Sequence, residues 1–320
     1  MFNLHLRKLF SSILYKTFLG NFTTNNVVAL DYHYFTNSII RLPGLEVSYS
    51  ILDKQLNLFS ALFEPQDTIF CLKNLGKNLY KNKKQKIMIS IDDADRSVIS
   101  ALHYFQKYEI PAVIFVPIGM ALNDEDIDGK RSRILCRFKE LFPENKNISM
   151  SEKDKFFNKI INAEMNQLTE YEMQLGKPDI RKNITSTRNL LSIKELENIN
   201  KNPLFTIASH SMSHNCLSEL PDKWLHWEIK KSCEYIKDLG GNETLFAYPF
   251  GHKKSYNKKV QKTLLNEGIK FSFSTTSTYI NKRSNHLQLG RAPMLNFDQE
   301  SYICGSGHGA FHYWDKILRR

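Results

Sequence analysis

The sequence predicts an α/β protein built around a parallel sheet or barrel. Three observations support this fold class. Short apolar runs rich in β-branched residues alternate with segments whose apolar residues recur at helical spacing. The 320 residues can bury a large core, and α/β barrels of this length can form one domain. No apolar run reaches the ~20 residues that a membrane-spanning helix needs. We therefore expect strands and helices to alternate along the chain.

The first elements follow this alternation as far as residue 116. Strands are predicted over residues 27–33, 86–91 and 111–116, and helices over 48–63 and 96–107, each with its apolar residues on one face. From 117 to 190 the pattern gives way to charged, mixed helical sequence rich in Asn, Lys and Glu. We interpret this stretch as a mostly helical insertion on the rim of the fold, and not as a separate domain.

The alternation resumes after residue 190 and continues to a last strand. The predicted elements are helix 192–199, strand 205–208, helix 222–239, strand 245–248, helix 255–267, strand 270–274 and strand 287–291. The barrel domain is thus predicted over 27–295, between a basic amphipathic segment at 1–26 and a C-terminal tail or helix at 296–320.

Composition restricts the partners and the compartment. A formal net charge of +11 favours an anionic environment, but no helix-turn-helix, RNA-recognition or zinc-finger signature is present, so we expect no nucleic acid partner. The five cysteines are odd in number and share no CxxC spacing, which argues for a reducing compartment. The basic N-terminal segment is typical of an interfacial helix on an anionic membrane, and packing against the domain is the alternative.

Two motifs immediately follow predicted strands and contain metal-binding side chains. Asp92 and Asp93 follow strand 86–91, and His210 and His214 follow strand 205–208. Active sites of α/β barrels lie at the carboxyl ends of the strands. One carboxylate and two imidazoles can bind a metal with an open position for water, and the second carboxylate can serve as a base. As an isolated motif, Asp93 or Asp95 could instead cap the helix predicted to start near Arg96.

A third motif lies at the end of another strand, where Ala247-Tyr248-Pro249-Phe250-Gly251 forms a rigid turn. Together, the segments 90–94, 210–214 and 247–251 resemble the motifs of NodB-type polysaccharide deacetylases, carbohydrate esterase family four. Two flanking segments, 30–33 and 110–116, also resemble strands of this family. The similarity spans residues 27 to about 295, with 117–190 as the poorest fit.

The resemblance implies a distorted (β/α)₇ barrel, similar to a TIM barrel, and hydrolysis of an N-acetyl group on a sugar. It also implies a divalent metal, with Zn²⁺ expected, and an N-acetylated saccharide as substrate. Asp93, His210 and His214 would bind the metal, and Asp92 would be the base that activates water. The turn Tyr248, Pro249, Phe250 and Gly251 would contact the substrate, with the Phe250 backbone N–H donating to the oxyanion.

The sequence departs from the family pattern at two functional positions. Ala247 stands where many members have an Arg that orients the base, and the late Leu-x-His motif that supplies an acid is missing. We expect Arg291, on the last predicted strand, to orient Asp92 instead. His286 is our first candidate for the acid, ahead of His252, a tail histidine or Asp92 returning its proton. His33, at the end of the first predicted strand, is a further candidate.

These observations favour a metal-dependent sugar N-deacetylase over two alternatives. A family member that binds metal or glycan without turnover would explain the missing Arg and His. A non-haem iron oxygenase also uses two His and one carboxylate, but it needs no second carboxylate beside them. The sequence shows no signal peptide, which predicts a cytoplasmic enzyme or one at the inner face of the membrane. The polymer or precursor that it modifies is not predicted.

Overall fold

The computed structural model of the chain describes residues 2–17, 26–77, 84–123, 125–137, 148–176 and 190–313. The strands are β1 Val27–Tyr32, β2 Tyr34–Thr36, β3 Glu46–Ser48, β4 Glu64–Pro65, β5 Lys86–Ile91, β6 Ala112–Val116, β7 Phe205–Ser209, β8 Asn242–Ala247, β9 Phe271–Ser274, β10 Leu289–Gly290 and β11 Ala292–Pro293. The α-helices are α1 Phe2–Thr17, α2 Tyr49–Leu62, α3 Thr68–Lys73, α4 Val98–Lys107, α5 Ile118–Ala121, α6 Ile127–Cys136, α7 Met150–Ile161, α8 Met165–Leu175, α9 Ile193–Asn200, α10 Asp222–Asp238, α11 Lys258–Asn266 and α12 Glu300–Gly307.

One parallel sheet closes almost completely into a barrel. Its strands follow the order β10-β9-β8-β7-β6-β5-β1-β11, with β4 also paired to β5. β10 and β11 lie at opposite ends of this order, yet only Arg291 separates them in the chain. The segment 289–293 therefore joins both ends of the sheet and acts as a single seventh strand. This architecture confirms the predicted distorted (β/α)₇ barrel.

The predicted elements are present, and their ends differ by a few residues for local reasons. The Ser48 hydroxyl accepts from the Ile51 N–H and caps α2, so the helix begins one residue later than predicted. The side chain of Asn257 likewise accepts from the Val260 N–H, which moves the start of α11 to Lys258. The predicted last strand is split at Arg291.

Alternation of side chains along the strands separates the barrel interior from the layer beneath the helices. In β5, Ile87, Ile89 and Ile91 pack in the large core under the helices. Met88 packs instead with apolar residues of other strands, including Phe115 and Phe273, inside the barrel. Residues 90 and 92 share the parity of Met88 and therefore point to the same interior.

The described part of 117–190 is helical and packs on the body of the barrel. Phe157 of α7 stacks on Trp224 of α10, with ring centroids 5.3 Å apart. Helices α6, α7 and α8 share this apolar cluster with β8 and α11. The stretch therefore contributes to the core, whereas we predicted an insertion on the rim of the fold.

Candidate active site

The turn that carries the two aspartates is held in an unusual backbone conformation. Asp93 and Ala94 have φ values of 69° and 49°, in the left-handed region that is costly for residues with a Cβ. Both side chains are buried. The Asp92 N–H donates to the Tyr32 carbonyl at 2.9 Å, which extends the pairing of β1 and β5 into the turn. This turn aims the two adjacent carboxylates at different neighbours.

The two histidines come from a loop that follows β7. The His210 N–H donates to the Val116 carbonyl at 2.9 Å, and Ser211 and His214 again have positive φ values, 68° and 53°. The Nδ1 atom of His210 lies 2.8 Å from the Ala247 carbonyl oxygen. Because a carbonyl only accepts, Nδ1 carries the hydrogen and Nε2 of the neutral ring presents a lone pair.

Asp93, His210 and His214 converge on one point. The Oδ1 atom of Asp93 lies 3.5 Å from His210 Nε2 and 3.2 Å from His214 Nε2. It is buried and accepts no hydrogen bond from a described residue. The other oxygen, Oδ2, accepts from the Tyr34 hydroxyl. One carboxylate oxygen and two imidazole nitrogens, all within 4.8 Å of one another, thus face a common centre.

Asp92 forms a buried, bidentate ion pair with Arg291. The two terminal nitrogens of the guanidinium lie 2.6 Å from Oδ1 and 2.7 Å from Oδ2 of Asp92. Arg291 also donates to Ser90 Oγ at 2.9 Å and lies over the rings of Phe115 and Phe273 in the barrel interior. Both partners of the pair are almost completely buried. This contact fixes the plane of the carboxylate.

A second group of ionisable side chains adjoins the first. Ligand-type atoms of Asp31, His33 and Asp92 lie within 4.8 Å of one another, and His33 Nδ1 is 3.8 Å from Asp31 Oδ2. Asp31 is buried, and neither of its carboxylate oxygens accepts a hydrogen bond from a described residue. The His33 side chain is 17% exposed, so it can be reached from solvent.

The turn after β8 lies beside the site, but not all of its residues face the cluster. Phe250 has a φ of 63°, is 46% exposed, and its ring lies 4.8 Å from the His214 ring. Pro249 is buried beside it. Gly251 has a φ of 61°, and a Cβ there would lie 2.5 Å from Thr275, so the turn requires glycine.

The side chain of Tyr248 does not face the cluster, contrary to the predicted substrate contact. It is buried, stacks on Tyr256 with centroids 4.1 Å apart, and donates its hydroxyl to the Leu287 carbonyl. Strand alternation explains the difference, because Ala247 points into the barrel and the next residue must point outward.

His286 lies far from the cluster, at the other end of the barrel. It is exposed, its carbonyl accepts from the Ser272 N–H, and its ring lies 5.1 Å from that of Phe271, the first residue of β9. Asp92 follows the carboxyl end of β5, so our prediction of His286 as the acid conflicts with this placement. The predicted strand begins at the next residue, 287, and a residue at the start of a parallel strand faces the amino end.

The other histidines suggested as acids lie outside the cluster as well. His252 is exposed beside Phe250, with ring centroids 6.3 Å apart, at the edge of the site. His308 and His312 contact Tyr279, whose neighbour Ile280 pairs with Val27 at the amino end of β1.

Burial and neighbouring charges shift the pKa values of the site residues in opposite directions. Burial raises the pKa of Asp92, but Arg291 and His210 outweigh burial and hold this pKa below its ordinary value. Burial also opposes ionisation of Asp93, yet His214 and His210 hold its pKa well below the usual range. In Asp31 burial prevails and raises the pKa. His210 shows the converse, because Asp92 and Asp93 raise its pKa despite burial.

These residues fit a divalent cation. A buried carboxylate oxygen without a hydrogen-bond donor is costly, and a metal would satisfy it. The His210 tautomer set by Ala247 leaves Nε2 available as a ligand. The raised pKa of His210 reflects an excess of negative charge at this point, which a cation would neutralise. One carboxylate and two imidazoles are a ligand set that suits zinc.

Sequence reasoning missed two residues that hold the site together. Tyr34 donates to Asp93, and no signal in the sequence marks it. Glu228 is completely buried in α10 and accepts from the loop between the two histidines. The sequence does contain a signal for Glu228, because a carboxylate on the apolar face of that helix, between Trp224 and Ile229, is unusual.

Comparison with known proteins identifies the family. The model of the polysaccharide deacetylase family matches residues 80–272, which is more than half of the chain. The chain belongs to the polysaccharide deacetylase family. No curated protein is similar enough in sequence to count as a relative.

Several solved deacetylases share the fold of this family member at low sequence identity. The Streptococcus pyogenes deacetylase PplD, in complex with acetate, is 17% identical, with a TM-score of 0.58 over 84% of this chain and 92% of that one. IcaB from Ammonifex degensii is 14% identical, with a TM-score of 0.59 over 90% and 98% of the two chains. A de-N-acetylase from Aggregatibacter actinomycetemcomitans is 15% identical, with a TM-score of 0.58 over 88% and 99%.

The family and the fold support deacetylation of a polysaccharide, and hence a hydrolase that acts on N-acetyl groups. The family implies an acetylated carbohydrate as the substrate. None of the described helices is both long enough and apolar enough to cross a membrane.

Proposed function

We propose that the protein is a metal-dependent N-deacetylase that acts on a sugar of a polysaccharide or of its precursor. The observation that carries the proposal is the convergence of Asp93, His210 and His214 beside an aspartate fixed by Arg291. The first three residues would hold the metal, with zinc as the expected ion. A bound divalent metal would polarise the acetyl carbonyl and acidify a water molecule.

Asp92 is the base in this proposal. It lies 3.8 Å from His210 Nε2, next to the centre that the three ligands share. Its lowered pKa keeps it ionised at neutral pH. Arg291 contacts both carboxylate oxygens, and each oxygen still has a second lone pair with which to accept a proton from water. The Arg that is missing at position 247 is thus replaced, in our proposal, by one from the far end of the chain.

His33 is the acid that protonates the departing amine. It lies beside Asp92 on the side that Asp31 occupies, and it is partly open to solvent. The carboxyl group of Asp31, 3.8 Å from His33 Nδ1, can orient the imidazole. A proton delivered to the amine nitrogen makes it a better leaving group when the carbon–nitrogen bond breaks.

Phe250 completes the proposed site on the side of His214. Its ring contacts that histidine, which places this residue beside the proposed ligands. We propose that its N–H donates to the oxyanion, a contact typically worth ~10²–10³ in rate. The exposed ring would also offer an apolar surface to one face of a sugar.

Acetate release is the direct test of this function. The purified full chain is incubated with Zn²⁺ and a panel of N-acetylated oligosaccharides and sugar donors, and both acetate and new amines are quantified. We expect release that a chelator abolishes and that Asp92→Asn lowers by at least ~10²-fold. Asp298→Asn, the same change at an exposed aspartate, is the matched control and should retain activity. Zinc binding without acetate release on any substrate would contradict the proposal.

The alternatives have less support after the geometry is considered. The missing Arg and His favoured a non-catalytic binder, but the contact of Arg291 with Asp92 and the position of His33 beside Asp92 support a catalytic role. No observation favours an iron oxygenase.

We further propose that α1 brings the enzyme to an anionic membrane surface at the cytoplasmic face. The helix contains Arg7, Lys8 and Lys16 and no acidic residue. It packs on α12 through Ser11, which is fully buried against Gly305. The opposite side exposes an apolar stripe in which the side chains are 40%, 56% and 51% exposed, namely Leu6, Leu9 and Ile13. An apolar stripe beside basic residues suits an anionic bilayer.

Vesicle flotation tests this association. We expect the full chain to float with vesicles rich in phosphatidylserine, to bind phosphatidylcholine vesicles less, and to lose binding in the double variant Leu9→Glu, Ile13→Glu. Leu265→Glu, at a similarly exposed leucine of α11, is the control. Equal flotation of all three proteins would contradict the proposal.

A further inference from the structure

We infer that Glu228 is a positioning residue that holds the loop 210–214 in its metal-binding shape; this inference rests on the proposed metal site. The carboxylate is completely buried in α10. Its Oε2 atom accepts from the backbone N–H groups of Met212 and Ser213, both at 2.9 Å. Its Oε1 atom accepts from the Ser213 hydroxyl, from Trp224 Nε1 at 3.1 Å and from Asn215 Nδ2 at 3.4 Å.

The loop needs such support because its backbone is strained. Ser211 and His214 both have positive φ values, although neither is a glycine. A positive φ is costly for a residue with a Cβ and persists only where the surroundings determine the conformation. Glu228 binds the two residues that lie between these strained positions. Without it, we expect the loop to relax and the two imidazoles to separate.

Helices of the 117–190 region also contact this loop and the residue that follows it. Asn215 donates to the Leu135 carbonyl at 3.0 Å, near the end of α6. A Cβ on Gly119 would lie 2.9 Å from the Met212 methyl carbon, so α5 approaches the loop closely. The loop is therefore fixed between Glu228 and helices of the 117–190 region. This arrangement gives that region a role in shaping the ligands.

Glutamine is the informative substitution, because it keeps the size of Glu228 and changes its hydrogen bonding. Its carbonyl oxygen can still accept from Met212 and Ser213. Its amide nitrogen would then face two groups that only donate toward it, Trp224 Nε1 and Asn215 Nδ2. The side chain must therefore shift away from these donors, which lengthens its contacts with Met212 and Ser213. The matched control is Glu46→Gln, since Glu46 is also buried and accepts two backbone N–H groups, in a loop that holds no ligand.

The test measures zinc affinity by competition with a chromophoric chelator, separately from activity. We expect Glu228→Gln to bind zinc ~10- to 100-fold more weakly than the wild type, as is typical when the partner of a ligand is removed. Glu46→Gln should bind zinc like the wild type, even if it unfolds at a lower denaturant concentration. Trp224→Phe removes one donor and keeps an aromatic side chain, so it should weaken zinc binding less than Glu228→Gln.

The outcomes separate this inference from the proposed function. If the wild type binds zinc and Glu228→Gln binds it equally well, the positioning role is wrong and the metal site stands. If the wild type binds no zinc, the metal site itself is wrong. Should Glu228→Gln fail to fold, Asn215→Ala replaces it, and unchanged zinc affinity in both Asn215→Ala and Trp224→Phe would overturn the inference.

Discussion

Removing the guanidinium of Arg291 should destabilise the protein mainly through Asp92. In Arg291→Met the carboxylate keeps its buried position but loses both contacts, at 2.6 and 2.7 Å. Breaking a buried ion pair by removing one partner costs about 3–5 kcal/mol, because a buried charge is left uncompensated. Arg291→Lys keeps the charge but cannot form the bidentate contact, so we expect a smaller loss of stability and still a large loss of turnover.

The loss of stability in Arg291→Met should depend on pH, and the pKa of Asp92 determines the direction of this dependence. In the wild type burial is outweighed by Arg291 and His210, and the pKa is lowered. Asp92 therefore stabilises the wild type above the unfolded-state pKa of about 3.9, and this contribution is lost as pH falls through the lower folded-state value. In Arg291→Met the opposing charge is gone, the pKa rises, and Asp92 can take up a proton.

Urea unfolding of the metal-free proteins at pH 7 and pH 4 measures both effects. The difference in unfolding free energy between wild type and Arg291→Met should be largest at pH 7 and should narrow at pH 4. The double variant Asp92→Asn, Arg291→Met should recover part of the loss, since no charge remains unpaired. A difference that is the same at both pH values, or wild-type turnover in Arg291→Lys, would refute this reasoning.

Three further predictions concern the backbone of the turns and the proposed acid. Ala94→Gly should change the unfolding free energy by no more than about 1 kcal/mol, because relief of the left-handed conformation offsets the loss of the methyl group. The control Ala101→Gly, within α4, should lower the unfolding free energy by about 2 kcal/mol. Urea unfolding of both variants measures the difference. Gly251→Ala should destabilise by about 2–4 kcal/mol through its positive φ and close packing, and a midpoint equal to that of the wild type would contradict this. His33→Ala should lower the rate of acetate release by ~10²–10⁴, while His286→Ala should leave it unchanged, and the opposite result would restore our first candidate for the acid.

The fold could be predicted from the sequence because its signals are local. Strand β5 was predicted with its observed ends, since the apolar run 86–91 is closed by a pair of aspartates. The placement of Asp93 and of the two histidines at one end of the barrel followed from their positions after parallel strands. The side on which Tyr248 points was missed, although strand alternation determines it: Ala247 points into the barrel, so the next residue points outward.

The partners of the site residues could not be predicted in the same way. Tyr34, Glu228 and His33 act through contacts between segments that are distant in sequence. His286 was ranked ahead of the other histidines, although it directly precedes the predicted last strand. A parallel strand separates its two ends by its full length. The direction of the predicted strands therefore places His286 at the amino end of the barrel and His33 at the carboxyl end.

Arg291 is the single residue between the two segments that close the barrel, so closing the sheet and pairing Asp92 are one structural event. During synthesis the ribosome completes Asp93, His210 and His214 well before it reaches this residue. A chain interrupted just before Arg291 would contain every proposed metal ligand, Glu228 and Ala247, and would lack the group that orients the base. Retention of metal by a truncated or proteolysed form would therefore be a poor measure of intact enzyme, whereas turnover would report that the chain had been completed.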